Sequence, residues 1–260
     1  MNILVLMAGR GKRFTDEGYT TPKPLLKVNN KTILEWTTES CPYIKHGGVG
    51  QDKDVHLYFS VLQEHLNNGL EEFLYSVYGK NITLIPFAKV TRGNLETAHI
   101  SCKRMLNIGD DLLILDSDNK YNDNNITNFI DSLPKQPHTS AVMWFDNQNK
   151  SLPNKWSNVK IVRGIAMGIR EKDDAWLQQP SLIGIFYFAN TDFFINYSSY
   201  IINHKKPVAV SGNKEYYMSM VPSYLLQVQR VYTHEVTDVV PLGTPVDVKQ
   251  FEKKMELHYA

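Results

Sequence analysis

Four cationic side chains crowd two glycines near the start of the chain: Arg10, Lys12, Arg13 and Lys23 beside Gly9 and Gly11. Glycine lets a ligand come close to the backbone, because no side chain stands in the way. Backbone N–H groups with positive neighbours suit a polyphosphate. The glycines alone carry little, since Gly-x-Gly after an apolar run also makes an ordinary strand-to-helix turn. The third glycine of a dinucleotide fingerprint is missing, and so is the Gly-Lys-Ser/Thr of a P-loop. A second chemical feature is Asp116-Ser117-Asp118, directly after the apolar run Leu112-Leu113-Ile114-Leu115. Side chains alternate along a strand, so Asp116 and Asp118 face one way and Ser117 the other. Magnesium takes one or two carboxylates and fills its shell with phosphate oxygens and water. The plainer alternative is a carboxylate that caps a following helix.

These groups need a frame, and the hydrophobic pattern describes one. Residues 3–7 are apolar and end at once in glycine, the pattern of a buried parallel strand entering a tight loop. Residues 31–36 open a helix. Residues 56–61 read as a strand, residues 63–75 as a helix with apolar positions 66, 70, 73 and 74, and residues 81–86 as a short strand. Glu64 and His65 could suggest acid–base work, but a helix-start carboxylate and a surface histidine account for them. Gly93 marks a turn before a helix that carries Thr97 and Ala98. The strand over residues 111–119 delivers its acids at the carboxyl end, where open parallel sheets build their sites. Residues 119–128 are rich in Asn and Asp and suit a turn-rich loop. Residues 140–145, 155–162, the stretch from Gly164 to Lys172, and 181–188 read as strands. Gly184 in the last of these permits close approach of a ligand or backbone. Residues 193–204 and 221–228 read as helices, and residues 230–232 and 239–240 as short strands. Thr244-Pro245-x-Asp247 is a capped helix start, with Thr at the cap, Pro first and Asp in the first turn.

Composition excludes several classes. The chain has 260 residues, 42% hydrophobic and 21% charged, which is ordinary for a soluble globular protein. Its net charge of +1 gives no global pull toward nucleic acid or an acidic membrane surface. Two cysteines, Cys41 and Cys102, are too few for a disulfide scaffold and form no Cys-x-x-Cys pair, so a reducing cytoplasm is the simplest home. Residues 1–7 lack a basic leader and run straight into the glycine loop, unlike a signal peptide. No run of about 18 apolar residues predicts a membrane span.

Gly9-Arg10-Gly11-Lys12-Arg13-Phe14, followed after a polar loop by Pro22-Lys23-Pro24-Leu25-Leu26, resembles a known signature. It is that of the nucleotidyltransferases that activate sugar phosphates and related phosphorylated small molecules: Gly-x-Gly-x-Arg-hydrophobic, a variable loop, then Pro-Lys-Pro-Leu-hydrophobic. The resemblance covers essentially the whole chain, with the motifs in family order. It implies an α/β fold, three-layer αβα with a mostly parallel mixed central sheet, of the nucleotide-diphospho-sugar transferase type. It implies one domain over residues 1–260, with an acceptor-side hairpin subregion at about residues 144–172. It further implies Mg2+, an NTP, a phosphorylated acceptor and release of pyrophosphate, with no nucleic acid or membrane partner and a homo-oligomer allowed.

Residue by residue, Met7, Ala8, Gly9, Arg10, Gly11, Lys12 and Arg13 match the triphosphate loop, and Lys23 matches the lysine that bridges α-phosphate and acceptor. Thr91, Arg92 and Gly93 match the turn that passes the base, Thr97 lies on the helix beyond it, and Ser117 is assigned to the nucleotide as well. Asp118 aligns with a metal-binding aspartate. Glu171 and Lys172 match an acceptor pair, the glutamate on a hydroxyl or amine and the lysine on the phosphate; Gly184 and Glu215 lie in segments near the acceptor. Arg13, Lys23 and Lys172 are then the catalytic residues. One position departs: family members often carry Asp-x-Gly-Thr-Pro, whose aspartate is a second metal ligand, and here that residue is Pro241. Asp247 is the substitute named.

Residues 7–14, Gly18-Tyr19 and Lys155-Trp156-Ser157 look similar to a subgroup of cytidylyltransferases tied to bacterial capsule and surface-polysaccharide gene sets. That favours CTP over UTP, with a phosphoglutamine-type acceptor or a sugar 1-phosphate. Two other classes stand beside this one. An NAD-dependent oxidoreductase needs the missing third glycine and a ribose-binding acid after the second strand, and the chain has neither. A nucleotide-binding regulatory protein with an inactive transferase fold is favoured by Pro241 and opposed by intact Arg13, Lys23, Asp118 and Lys172.

Overall fold

The structure, a computed structural model, describes residues 1–48, 51–123, 125–148, 150–210 and 212–259. In chain order the main elements are β1 (Asn2–Met7), α1 (Lys12–Thr15), α2 (Ile33–Glu39), β2 (His56–Leu62), α3 (Glu71–Tyr78), β3 (Ile82–Phe87), α4 (Asn94–Cys102), β4 (Leu112–Asp116), β5 (Asn119–Asn122), α5 (Ile126–Ser132), β6 (Ser140–Phe145), β7 (Ser157–Val162), β8 (Ile165–Glu171), β9 (Ser181–Phe188), α6 (Thr191–His204), α7 (Met220–Leu225), β10 (Val231–Glu235), β11 (Thr237–Pro241) and α8 (Pro245–Tyr259). Apolar strands alternate with helices, which makes the fold α/β with mixed pairing, as expected. The chain divides into two compact units. The glycine-loop unit comprises Val5–Val90, Asp116–Asn124 and Thr237–Ala260, and the hairpin unit comprises Met1–Leu4, Thr91–Leu115 and Asn125–Val236.

In the glycine-loop unit the strand order is β3-β2-β1. β2 and β3 run parallel, in register from Leu57 opposite Ile82 to Leu62 opposite Phe87. Every residue of β1 is buried, so the strand reads as a continuous apolar run and not as an alternation. Ser60, buried in β2, donates to the Val5 carbonyl at 3.2 Å and accepts the Met7 N–H at 3.3 Å, which satisfies its hydroxyl. Phe14, Val28, Ile33, Leu242, Val248 and Phe251 form a core cluster that ties α1, α2 and α8 together. Each such side chain contributes about 1.5–3 kcal/mol by leaving water. α2 begins with a capping box: Thr32 Oγ1 accepts the Glu35 N–H at 3.2 Å, and Glu35 Oε2 accepts the Thr32 N–H at 2.8 Å.

Three expectations change in this unit. The helix over residues 63–75 is interrupted at Asn68 and Gly69, where Gly69 has φ +87°; the left-handed residue breaks a pattern whose apolar spacing reads as one helix. His65 is buried, not superficial, and its Nδ1 has no hydrogen-bond partner among the described residues. The stretch expected as a loop, residues 119–128, starts as β5, antiparallel to β11 with Asn119 opposite Pro241, Lys120 opposite Val240 and Asn122 opposite Thr237. Its partner lies more than a hundred residues away, so local composition does not reveal the ladder. α5 then begins at Ile126, and Asn124 lies outside the described residues.

In the hairpin unit the order is β4-β9-β6-β10-β8-β7. β9 is antiparallel to β4 and β6, β10 is parallel to β6, and β8 is antiparallel to β10 and β7. β7 and β8 form the expected hairpin; Arg163 and Gly164 turn it with φ +50° and +74°, both left-handed as a tight hairpin turn requires. All eight residues of β9 are buried. Its Gly184 has φ +82° where the pairing with β6 shifts register between Leu182 and Phe186, so this glycine makes a β-bulge. Cys41 and Cys102 are unpaired and buried, and burial pushes the Cys41 thiol up to about 12. Among the described residues, no helix is long and apolar enough to cross a membrane.

Candidate active site

β1 delivers the chain to Gly9 and Gly11 as the sequence implies. Gly11 has φ +63°, and a Cβ there would lie 3.0 Å from Lys23 Cβ. Its carbonyl accepts the N–H groups of Phe14 at 2.8 Å and Thr15 at 3.3 Å, which starts the single turn of α1. Among the described residues, the N–H groups of residues 9 to 13 find no acceptor within the protein. Of the cations, Lys12 pairs with Asp16 at 2.8 Å and Arg10 reaches Glu64 at 3.6 Å, all exposed. The Arg13 side chain is exposed and has no ion-pair partner among the described residues.

Lys23 begins a short turn, Lys23–Leu25, flanked by Pro22 and Pro24. Its Nζ lies 2.5 Å from Asp118 Oδ2, with the two side chains 17% and 25% exposed. Asp118 is held from several sides. Its carbonyl accepts the Leu242 N–H at 2.7 Å, and its Oδ1 accepts from Asn119 Nδ2 at 3.4 Å. Gly243 passes so near that a Cβ there would lie 3.1 Å from Oδ2. Asp116 ends β4, and Ser117, beside Asp118, is buried. No cluster of three or more His, Cys, Asp or Glu suited to a metal ion occurs among the described residues. A metal ion on Asp118 would therefore draw most of its shell from phosphate oxygens and water, which is how magnesium binds with few carboxylates, and Gly243 puts no side chain against Oδ2. Asp247 has another partner: Thr244 Oγ1 accepts its N–H at 3.2 Å and donates to its Oδ2 at 2.6 Å. This is the helix cap read from the sequence.

The hairpin unit holds the other predicted residues in two groups. Around the turn before α4, Thr91 Oγ1 donates to the Gly93 carbonyl at 2.8 Å and shares a hydrogen bond of 2.7 Å with Thr97 Oγ1. Gly93 has φ +140°, and a Cβ there would lie 2.4 Å from the Tyr216 carbonyl oxygen and 2.6 Å from its nitrogen. The turn is locked to Tyr216, whose N–H donates to the Arg92 carbonyl at 2.9 Å and whose carbonyl accepts the Leu95 N–H at 3.0 Å. Arg92 is tied to Glu96 and Tyr216. Its guanidinium bonds Glu96 Oε1 through Nε at 2.9 Å and Nη2 at 2.6 Å, its N–H reaches Glu96 Oε2 at 2.7 Å, and it stacks 5.0 Å above the Tyr216 ring. Burial alone would raise the Glu96 carboxyl; the Arg92 hydrogen bonds outweigh it and hold the group below the ordinary range. Both backbone groups of Arg92 are thus taken, while the N–H groups of Thr91 and Gly93 have no backbone acceptor among the described residues.

The second group lies at the end of β8. Glu171 Oε2 accepts from the hydroxyls of Ser157 and Ser219, the latter at 2.6 Å. Lys172 has φ +47°. Its Nζ donates to Tyr217 Oη at 3.2 Å, sits 4.3 Å from the Tyr217 ring centre, and lies 3.7 Å from Glu171 Oε1. Ser157, Tyr217 and Ser219 complete this cluster and were not singled out for it by sequence. Tyr216 and Met218 bond residues 92–95 around the Gly93 turn, while Tyr217 and Ser219, the latter at the turn into α7, reach Lys172 and Glu171. Glu215 sits in a short strand opposite Val208, and its side chain has no hydrogen-bond or ion-pair partner among the described residues. Gly184 is buried at its bulge.

No protein-family model matches this sequence, and no curated protein does. Solved structures match along nearly the full length. A nucleoside-diphosphate-sugar pyrophosphorylase from Vibrio cholerae RC9 superimposes with TM-score 0.73 at 17% identity, over 97% of this chain and 100% of that one. An inositol-1-phosphate CTP transferase from T. maritima gives 0.68 at 14%, over 98% and 94%. A UDP-glucose pyrophosphorylase complexed with UDP-glucose gives 0.70 at 14%, over 99% and 98%. At these identities the likeness is one of fold, and the fold of this chain is the α/β fold of these nucleotidyltransferases.

Proposed function

We propose that this protein is a magnesium-dependent nucleotidyltransferase that joins an NTP, CTP by preference, to a phosphorylated small molecule and releases pyrophosphate. The observation that carries this is the Lys23–Asp118 pair in the unit whose loop keeps five backbone N–H groups unclaimed. The acceptor phosphate attacks the α-phosphorus in line, which requires no covalent enzyme intermediate and no strong base, so catalysis is positioning and charge stabilisation. In this proposal the N–H groups of residues 9–13 hold the β- and γ-phosphates, and Arg13 neutralises the departing pyrophosphate. Lys23 leaves Asp118 to bind the α-phosphate and the incoming oxygen. Asp118 would hold Mg2+, which when bound would draw charge from the phosphorus. Asp247 could join as a second donor through Oδ1, while its Oδ2 accepts from Thr244. Thr91, Gly93, Thr97 and Ser117 serve the nucleoside, and Lys172 holds the acceptor phosphate. The whole chain would act as one catalytic domain in the cytoplasm.

The likeness to an inositol-1-phosphate CTP transferase supports CTP as a donor on this fold, and the likeness to a UDP-glucose pyrophosphorylase supports UTP equally. The preference for CTP, the phosphoglutamine-type or sugar 1-phosphate acceptor, and a role in capsule or surface-polysaccharide precursors rest on the motif resemblance. Pyrophosphate release measured for each common NTP against a panel of phosphorylated acceptors tests all of them. Turnover is expected with CTP and with magnesium present. Tight NTP binding with no turnover for any pair would instead support a regulatory protein, the alternative that Pro241 favours.

A further inference from the structure

The glutamate beside the acceptor lysine is placed to hold that lysine, not a substrate. We propose that Glu171 is a positioning residue: it fixes the Lys172 ammonium on the Tyr217 ring for an incoming anion and does not itself touch the acceptor. Only the identity of that anion, a phosphate, rests on the function proposed above.

A glutamate that recognises an acceptor hydroxyl or amine needs a free, accessible oxygen. The Glu171 side chain is 7% exposed and the Lys172 side chain 20%. Two hydroxyls, from Ser157 and Ser219, already donate to its Oε2. Its Oε1 lies 3.7 Å from Lys172 Nζ. Adjacent residues of a strand point to opposite faces, so residues 171 and 172 would not ordinarily bring their charges together. β8 ends at Glu171, and Lys172 follows with φ +47°. That conformation is uncommon without glycine, and here it swings the lysine back toward its neighbour. Strained residues of this kind cluster at ligand clamps. An ammonium has three donors. Tyr217 takes one at 3.2 Å, and its ring supports the head group at 4.3 Å. Glu171, at 3.7 Å, steers Lys172 by charge without consuming a second hydrogen bond, which leaves donors for an anion. Ser157 and Ser219 come from different parts of the chain and keep the carboxylate from rotating toward solvent.

The sign of one effect separates this proposal from its rivals. Removing a negative charge next to an anion-binding ammonium should tighten anion binding by Coulomb attraction alone. If Glu171 is what positions Lys172, its removal should weaken binding instead. The whole protein is prepared with 13C-labelled lysine, which leaves every ammonium intact, and the Lys172 Cε signal is assigned by its loss in Lys172→Ala. Inorganic phosphate is then titrated and followed by NMR. In Glu171→Gln the Lys172 signal should move and phosphate affinity should fall by about tenfold, the scale of a charged hydrogen bond. Ser219→Ala, which keeps the net charge, should lower affinity in the same direction by a smaller factor, and covers the case that Glu171→Gln does not fold. Equal or tighter phosphate binding in both variants would overturn the proposal. A Lys172 signal that ignores phosphate in the unmutated protein, yet still moves in Glu171→Gln, would sink the acceptor-phosphate role and keep Glu171 as the residue that positions Lys172.

Discussion

The two glycine turns of this protein are held in opposite ways. Gly11 sits in a loop whose five N–H groups are unclaimed, and the nearest atom to a Cβ there would be Lys23 Cβ at 3.0 Å. Gly93 is clamped against the Tyr216 backbone, with the groups around it hydrogen-bonded to one another. A loop that must wrap a highly charged ligand profits from unspent donors. A turn that offers an edge to a planar group profits from being rigid before the ligand arrives. The glycine is thus required for space in one turn and for backbone packing in the other.

The largest effect should fall on the open side. Lys23→Ala and Asp118→Ala should each lower kcat by about 10³-fold, the scale of losing one preorganised charge contact, while thermal unfolding moves little because both groups are partly exposed. Near-normal magnesium-dependent turnover in either variant would remove that pair from the chemistry. Next, Gly93→Ala should cost about 3 kcal/mol or more in denaturant unfolding, since a Cβ cannot be placed against rigid backbone at 2.4 Å. Gly11→Ala should cost less, about 1–2 kcal/mol, because its Cβ would meet one carbon, Lys23 Cβ, at 3.0 Å and would add the cost of a left-handed φ. If the two glycine variants were equally destabilised, the contrast between open loop and clamped turn would be wrong.

A smaller effect involves both units. Burial lowers the pKa of His46 and His65 in the glycine-loop unit and of His99 in the hairpin unit. Below about pH 6.5 the unfolded chain takes up protons that these folded histidines resist. Their contribution is therefore complete above that pH and declines as pH falls toward the folded values. Urea midpoints measured between neutral and mildly acidic pH should show this decline, and His65→Gln should flatten part of it. Smallest is Glu96→Gln at the clamped turn. Arg92 is 59% exposed, so the pair should contribute at most about 0.5 kcal/mol at neutral pH. The Glu96 carboxyl is depressed, so this contribution is present above its ordinary range and lost as pH falls through the folded value. A stability difference between Glu96→Gln and the unmutated protein that persisted undiminished in acid would show that packing, not charge, is responsible.

Much of the frame is legible in the sequence wherever a strong local pattern acts alone. β1, β2, β6 and β9 follow from apolar runs, the β7–β8 hairpin from Gly164, and the start of α8 from Thr244-Pro245-x-Asp247. The misses share one cause, a partner distant in sequence. β5 needs β11 to become a strand, His65 needs packing around it to become buried, and Glu171 needs Ser219 to be held. Gly69 is the exception, a local break that apolar spacing overrode.

By itself, the sequence determined the α/β class, the glycine loop with its cations, the acids that follow the β4 run and the order of the motifs, because periodicity, glycine placement and charge are written residue by residue. Tertiary structure alone decided that Lys23 and Asp118 meet at 2.5 Å, and that Glu171 faces Lys172 and two serines with its side chain 7% exposed. Those facts depend on which distant segments share a surface, and on backbone angles such as φ +47° at Lys172 that no residue type announces.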